Sequence, residues 1–393
     1  MTDGQTAGEA AQYSDPAPFH IEAQGQALTF YPDGGDRLDA LLELIGEARE
    51  TLDLCYYIYT DDADGVCVRD AMVKAAGRGV AVRLIVDGFG SAVPDGFFDA
   101  LTQAGGQFWL FSAKWSRRYL IRNHQKMAIA DNARAMIGGF NVERDYFAPP
   151  DSNGWHDLGM IVDGSAVDDL ARWFGQLVDW VDHPRAQFRD MRRKVRDWDG
   201  GSGPVRLLIG GPTNGLSSWA RVVGKDLDRG RRLDMVMAYF SPSKKLLRRI
   251  GRIAEKGETR LVMAGKSDNG ATIGATRSLY DYLLKHRADI WEFRACKLHM
   301  KLLVLDDAVY VGSANFDMRS LYLNLELMLR IEDAALADRM REFIASQLTA
   351  SRRITQESHA KKATLWNRIR WNASWLLVAV LDYTISRRLN LGQ

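Results

Sequence analysis

The chain is expected to fold as α/β, in two pseudo-symmetric α-β-α units with a functional site at their interface. Three observations lead there. Strand-like and helix-like segments alternate along the chain, the same order of segments returns in the second half, and one motif of His, Lys and Asp occurs once in each half. The 393 residues leave room for two or three domain-sized units. At 46% hydrophobic and 26% charged residues, the composition excludes a disordered, collagenous or coiled-coil chain.

Residues 1–25 are small and polar with little periodicity, and read as a disordered lead. The body opens with a helix from about Arg37 to Glu50, because Leu38, Leu41, Leu42 and Ile45 recur at helical spacing. TLDLCYYIYT follows as a strand, on its β-branched and aromatic content. A helix through Val66 to Ala76 stops at Gly77 to Gly79, and VAVRLIVDG forms a second, buried strand. Strand, helix and strand in that order imply parallel pairing.

In the second half RRLDMVMAYFSPS reads as a strand and KKLLRRIGRIAEKG as a helix with a glycine stop, after which TRLVMAGKSDN takes the place of VAVRLIVDGFG. HDLGMIVDGSAVDDLARWF and LELMLRIEDAALADRMREF are both strands leading into helices, and their alignment pairs Asp157 with Glu326. The charged, glycine-rich RDMRRKVRDWDGGSGPVR suits a linker. The expected units are therefore 26–195 and 196–350, followed by a tail, 351–393.

The chemistry lies in NHQKMAIADNARAMIGGFN and KLHMKLLVLDDAVYVGSANFD. His124, Lys126 and Asp131 stand 175 residues from His299, Lys301 and Asp306, and each set is followed by Gly138-Gly139 or Gly312-Ser313 and by Asn141 or Asn315. A His two residues before a Lys on a strand shares its face. The aspartates belong to the motif and so enter the candidate catalytic set. Their odd interval from the lysines points them to the other face, as anchors of the following turn.

Two His, two Lys and two Asn around one axis suit a phosphate, since ammonium and amide groups can neutralise the charge of a pentacoordinate transition state. One imidazole can attack phosphorus to give a phosphohistidine, while the other protonates the leaving alkoxide and then deprotonates an incoming alcohol or water. Asp157 and Glu326 are placed to accept a ring N–H and fix its tautomer. With Asn141, Ser313 and Asn315 they complete the residues expected around the substrate.

No metal or other cofactor is expected: the three cysteines, Cys55, Cys67 and Cys296, are too few and scattered for a cluster. Cys296 reads as a packing residue, His20, His183, His286 and His359 as surface or linker residues, and His156 as lining the pocket mouth.

On these motifs the chain resembles the phospholipase D superfamily, and within it the bacterial cardiolipin synthases that lack N-terminal transmembrane helices. GSANFDMRSLYLNLEL carries that subgroup's Asp317, Arg319, Ser320, Asn324 and Glu326; MAYFSPSKKLLRRI and GWHDLGMIVDGSAVDDLARWF add its aromatic-Pro segment and its Trp-x-Asp strand. The resemblance implies phosphatidyl transfer from phosphatidylglycerol to an alcohol through a phosphohistidine, with His124 the nucleophile and His299 the acid and base. The alternative is a phospholipase D or other phosphodiesterase using water. Gln125 departs from the pattern, standing where many relatives carry Arg.

The formal charge of +2 gives no overall field for a nucleic-acid partner, and none is expected. Neither a signal sequence nor an apolar run long enough to span a bilayer is seen. The tail instead carries Arg352, Arg353, Lys361, Lys362, Arg368, Arg370, Arg387 and Arg388 against Glu357 and Asp382. Leu365, Ile369, Ala373, Leu376, Leu377 and Val380 recur there at helical spacing, with Trp366, Trp371 and Trp375 among them.

These features predict an amphipathic helix on an anionic membrane surface; the competing placement is a helix docked on the protein's own body. Arg117, Arg118 and Arg122 are expected at the pocket mouth. The expected location is peripheral, on the cytoplasmic face of the bacterial inner membrane, and the sequence leaves the oligomeric state open.

Overall fold

The computed structural model describes residues 13–91, 93–112, 121–185 and 187–381. It is built on two eight-stranded mixed sheets. The first runs, in spatial order, Phe19–Ala23, Gln26–Tyr31, Gly159–Asp163, Arg134–Gly138, Met127–Ala130, Thr51–Tyr56, Ala81–Asp87 and Gln107–Phe111. The second runs Val205–Gly210, Glu326–Glu332, Ala308–Gly312, Lys301–Leu305, Arg232–Met237, Glu258–Ala264, Asp289–Phe293 and Ser351–Ile354. From Gln26–Tyr31 and Val205–Gly210 onward the two orders agree strand for strand. Each sheet adds one further edge strand, at opposite ends.

The strand, helix, strand segments pair in parallel as expected, Thr51–Tyr56 with Ala81–Asp87 and Arg232–Met237 with Glu258–Ala264. Their connecting helices, Ala63–Gly77 and Lys244–Lys256, start where Asp62 and Ser243 accept backbone N–H groups of the first turn. With Gly34–Glu47 and Ser218–Arg229 they cover the outer faces of the sheets. Leu41, Leu44, Val68 and Met72 pack on Leu52, Leu54 and Leu84 in one unit, and Val223, Leu227, Ile250 and Ile253 pack on Leu233, Met235 and Leu261 in the other.

Between the sheets lie the helices Ala166–Asp182 and Ala334–Ser346. Leu170, Trp173 and Leu177 of one, and Leu336, Met340 and Phe343 of the other, form a single cluster with Ile129 and Val162 of the first sheet and Leu302 and Leu327 of the second. Burying one such side chain stabilises a fold by about 1.5–3 kcal/mol. The shared layer therefore holds the units together.

Several expectations are corrected. Residues 1–12 of the expected lead lie outside the described residues, and the rest of it is structured: Phe19–Ala23 pairs antiparallel with Gln26–Tyr31, and the Tyr13 hydroxyl donates to Gln347. The first helix begins at Gly34, capped by Asp33, and its buried stripe is Arg37, Ala40, Leu41, Leu44 and Ile45. The linker contains the helix Phe188–Asp197, which crosses the expected boundary at 195 and inserts Met191, Val195 and Trp198 into the central core.

The two motif hairpins also differ. Three residues join Ala130 to Arg134 but two join Leu305 to Ala308, so the repeat spacing falls from 175 to 174 beyond the turn. The tail does not begin at 351, because Ser351–Ile354 is an edge strand of the second sheet.

Candidate active site

Each motif is stapled to the opposite unit through its backbone. The His124 N–H donates to the Leu325 carbonyl (2.9 Å), and the Leu325 N–H to the Arg122 carbonyl (2.9 Å). On the other side Lys297–Leu298 pairs with Trp155–His156, and the His299 N–H donates to the His156 carbonyl (2.8 Å). Leu325 and His156 are the residues just before Glu326 and Asp157. Each staple thus delivers a carboxylate from one unit to the imidazole of the other.

The pairing is crossed. Nδ1 of His124 lies 3.0 Å from Oε2 of Glu326, and Nδ1 of His299 lies 2.7 Å from Oδ2 of Asp157. With Nδ1 engaged, Nε2 is left as the working nitrogen of each ring. Nε2 of His299 is 3.4 Å from the Tyr146 hydroxyl, and the His299 ring is further flanked by Trp155 and Tyr239. The His124 ring packs on Tyr57, whose ring also lies under the Lys126 ammonium at 5.2 Å. Lys126 donates to the His124 carbonyl (2.6 Å) and Lys301 to the His299 carbonyl.

Burial and the two ammonium groups pull both imidazoles below the usual histidine range. Burial likewise lowers both lysines. Burial resists the charge of Asp157, but Lys301, His299 and Arg37 outweigh it and hold that carboxyl well below the usual range. For Glu326 burial wins and pushes the carboxyl up to about 7. Lys126 and Lys301 each act on both histidines, so the four groups form one electrostatic unit.

The glycine pair has a steric reason. A Cβ on Gly139 would sit 2.5 Å from Oδ1 of Asp157. In the second unit Ser313 occupies that position, and its hydroxyl donates to Oε2 of Glu326 at 2.5 Å.

Asp131 and Asp306 do not join this centre, which corrects their place in the catalytic set. Their backbones are left-handed, at φ 53° and 49°, a conformation Asp tolerates better than most residues. The Asp131 carboxylate accepts from the N–H groups of Arg49, Glu50 and Thr51, and Asp306 from those of Arg231 and Arg232. They tie the hairpin turn to the start of the neighbouring strand.

The residues expected around the substrate divide. Asp157 and Glu326 are fully buried and hold histidines. Asn141 accepts from the Ile58 N–H, Ser313 supports Glu326, and buried Asn315 has an Oδ1 with no partner among the described residues. Gln125 is fully buried and bridges the units, donating to the Glu326 carbonyl and accepting from the Trp173 indole.

His156 is not at the mouth: it is buried behind the centre against Asp15, at 2.6 Å. His359, expected at the surface, is buried against Trp371. Cys296 is fully buried among core residues. Arg117 and Arg118 lie outside the described residues, while Arg122 sits over the Phe89 ring.

Sequence reasoning missed Tyr57, Tyr146 and Arg37. The signal for Arg37 was present: it lies four residues before Leu41, on the apolar stripe of its helix. The tyrosines have no repeat partner and gave none.

A family model described as "Cardiolipin synthase, PLD-like domain" matches residues 41–178 and 226–348. The chain is 30% identical over 381 residues to the major cardiolipin synthase ClsA of Bacillus subtilis (strain 168), covering 92% of this chain and 77% of that one. It is 27% identical over 353 residues to cardiolipin synthase B of Escherichia coli (strain K12), covering 88% and 86% respectively. Among solved structures, phosphatidylserine synthase of Haemophilus influenzae Rd KW20 is similar in fold, with a TM-score of 0.74 at 13% identity over 93% of this chain and 97% of that one.

Proposed function

The chain belongs to the cardiolipin synthase family of phospholipase D-like enzymes and is a phosphatidyltransferase of that kind; on that premise we propose that it moves a phosphatidyl group from phosphatidylglycerol to an alcohol acceptor through a phosphohistidine. The observation that carries this reading is the crossed pair of imidazole-carboxylate contacts between the units. In each ring Nδ1 faces a carboxylate, which leaves Nε2 as the nitrogen that attacks or exchanges a proton.

His124, kept neutral by burial and the nearby ammonium groups, is the nucleophile. Its Nε2 attacks phosphorus as the bond from phosphorus to the glycerol oxygen breaks. The departing alkoxide takes a proton from Nε2 of His299, whose imidazolium is favoured by ionised Asp157 and by the negative charge of the arriving phosphodiester. In the second half an acceptor alcohol gives its proton to Nε2 of His299 and attacks phosphorus. The bond from phosphorus to Nε2 breaks, and His124 is restored. Lys126 and Lys301 lie against the two rings, where they oppose the charge of the pentacoordinate state.

The proposed partner is the surface of an anionic bilayer. The helix Leu365–Trp375 buries Trp371 and sets Ser374 against Gly274 of the helix Gly270–Arg277. Leu365, Trp366, Ile369, Leu376 and Leu377 remain largely exposed. Docking on the body and an exposed apolar stripe thus coexist, a combination suited to a peripheral enzyme. No helix among the described residues is long and apolar enough to cross a membrane.

Incubation with phosphatidylglycerol vesicles tests the reading. Cardiolipin with free glycerol is expected; phosphatidic acid would mean that water is the acceptor, and no turnover would defeat both chemistries.

A further inference from the structure

We propose that Arg37 is a positioning residue of the reaction, which fixes three walls of the His299 pocket and lends its charge to Asp157. The proposal rests on the reading of His299 as the histidine that carries the proton. Arg37 stands in the first turn of the helix Gly34–Glu47 and is 0% exposed. Its guanidinium hydrogen-bonds to backbone carbonyls, Nη1 donating to Asp157 (2.7 Å), Pro32 and Tyr31 (3.4 Å) and Nη2 to Tyr146 (2.7 Å) and Trp155 (3.3 Å), and it lies over the Phe140 ring.

Three of those carbonyls belong to the residues that surround one imidazole. Asp157 holds Nδ1 of His299, Tyr146 lies at Nε2, and the Trp155 ring is 5.3 Å from the imidazole centre. A single planar fork therefore sets the segment on which the orientation of His299 depends.

Among the described residues no carboxylate is in ion-pair contact with Arg37. Burying a guanidinium without a paired anion is costly. The charge has a nearby beneficiary in Asp157, the first carboxylate to act on it. Among the described residues, the matching helix position of the second unit supplies no such group: Arg221, fourth in its helix as Arg37 is in its own, is exposed. Glu326 is supported by the Ser313 hydroxyl instead. The two histidine-carboxylate pairs are chemically alike and electrostatically unequal, and Arg37 marks the difference.

The other charged and titratable groups around the His299 pair are Lys301 and Lys126 of the two motifs, Glu326 beyond Lys301, Tyr146 with Tyr239 and Glu143 beside it, and His156 and Asp15 behind. Removing one cation from this set makes the pair bind a proton more readily. Histidine-labelled protein is titrated by NMR as wild type, Arg37→Met and Arg37→Lys, with His299→Ala assigning the resonance, and kcat and KM are measured alongside.

The Met variant should raise the His299 midpoint by about half a pH unit and leave that of His124 in place. The Lys variant should keep the midpoint but lose the fork. Both should lower kcat by about 10- to 100-fold with KM little changed. A folded Met variant with an unmoved His299 midpoint, or one in which His124 moves equally, overturns the proposal. If the Met variant does not fold, the Lys variant decides, and an unchanged kcat there overturns it. Wild type that turns over no phosphatidylglycerol defeats the proposed function, while the titration still judges Arg37.

Discussion

At the scale of single residues, the work divides between groups that meet phosphorus and groups that hold them. His124→Ala and His299→Ala should each lose more than the roughly 10²- to 10⁴-fold typical of one general acid or base, whereas Cys296→Ala, in the core, should retain activity in a vesicle assay. Asp131→Asn keeps a side chain that tolerates the left-handed backbone but removes the charge. It should lower the melting temperature by a few degrees and leave kcat of the folded protein unchanged.

The sign of the Asp131 effect follows from its environment. Slight burial raises its pKa, but the N–H groups of Thr51, Glu50 and Arg49 outweigh this and lower it. The stabilisation is therefore present above the unfolded carboxylate pKa of about 3.9 and is lost as pH falls through the lower folded value, so the melting curves of wild type and variant should converge in acid.

Glu326 behaves oppositely. With its carboxyl raised to about 7, it becomes a full anion on His124 only as pH rises through neutrality. The rate should climb across that range, and Glu326→Gln should abolish the climb in a pH-rate profile. The histidines and lysines were legible from spacing and strand parity. Which carboxylate serves which ring was not, because the crossing depends on contacts between strands far apart in sequence.

At the scale of elements, strands and their connecting helices were readable because each is long, apolar and periodic. The edges were not. Phe19–Ala23 is a five-residue polar-alternating strand that gains order from a partner, and Ser351–Ile354 is four residues whose identity as a strand comes from pairing with Asp289–Phe293. Phe188–Asp197 looked like a linker because it is rich in charge, yet Met191 and Val195 give it one buried side.

The C-terminal helix carries a prediction at this scale. Replacing Leu365, Trp366 and Ile369 together by Ser should weaken pelleting with anionic vesicles and spare turnover of detergent-dispersed substrate. Unchanged pelleting would reject the membrane assignment of that stripe.

At the scale of the whole molecule, the central core makes the two units one folding body, and the crossed carboxylates make them one centre. Energetic coupling should follow the contacts rather than the halves. In melting experiments His124→Ala and Glu326→Gln, from different units, should be non-additive by about 0.5–3 kcal/mol. His124→Ala and Asp157→Asn, from the same unit, should show the smaller coupling. The reverse pattern would contradict the pairing observed between His124 and Glu326.

That exchange of carboxylates bears on how such a protein can change over time. Loss of either half disables both rings at once, since the surviving histidine forfeits its acid partner along with its twin. Neither copy is redundant, so the duplication cannot be reversed by deletion, and any pared-down catalyst built from this scaffold must keep both halves or return to a symmetric dimer.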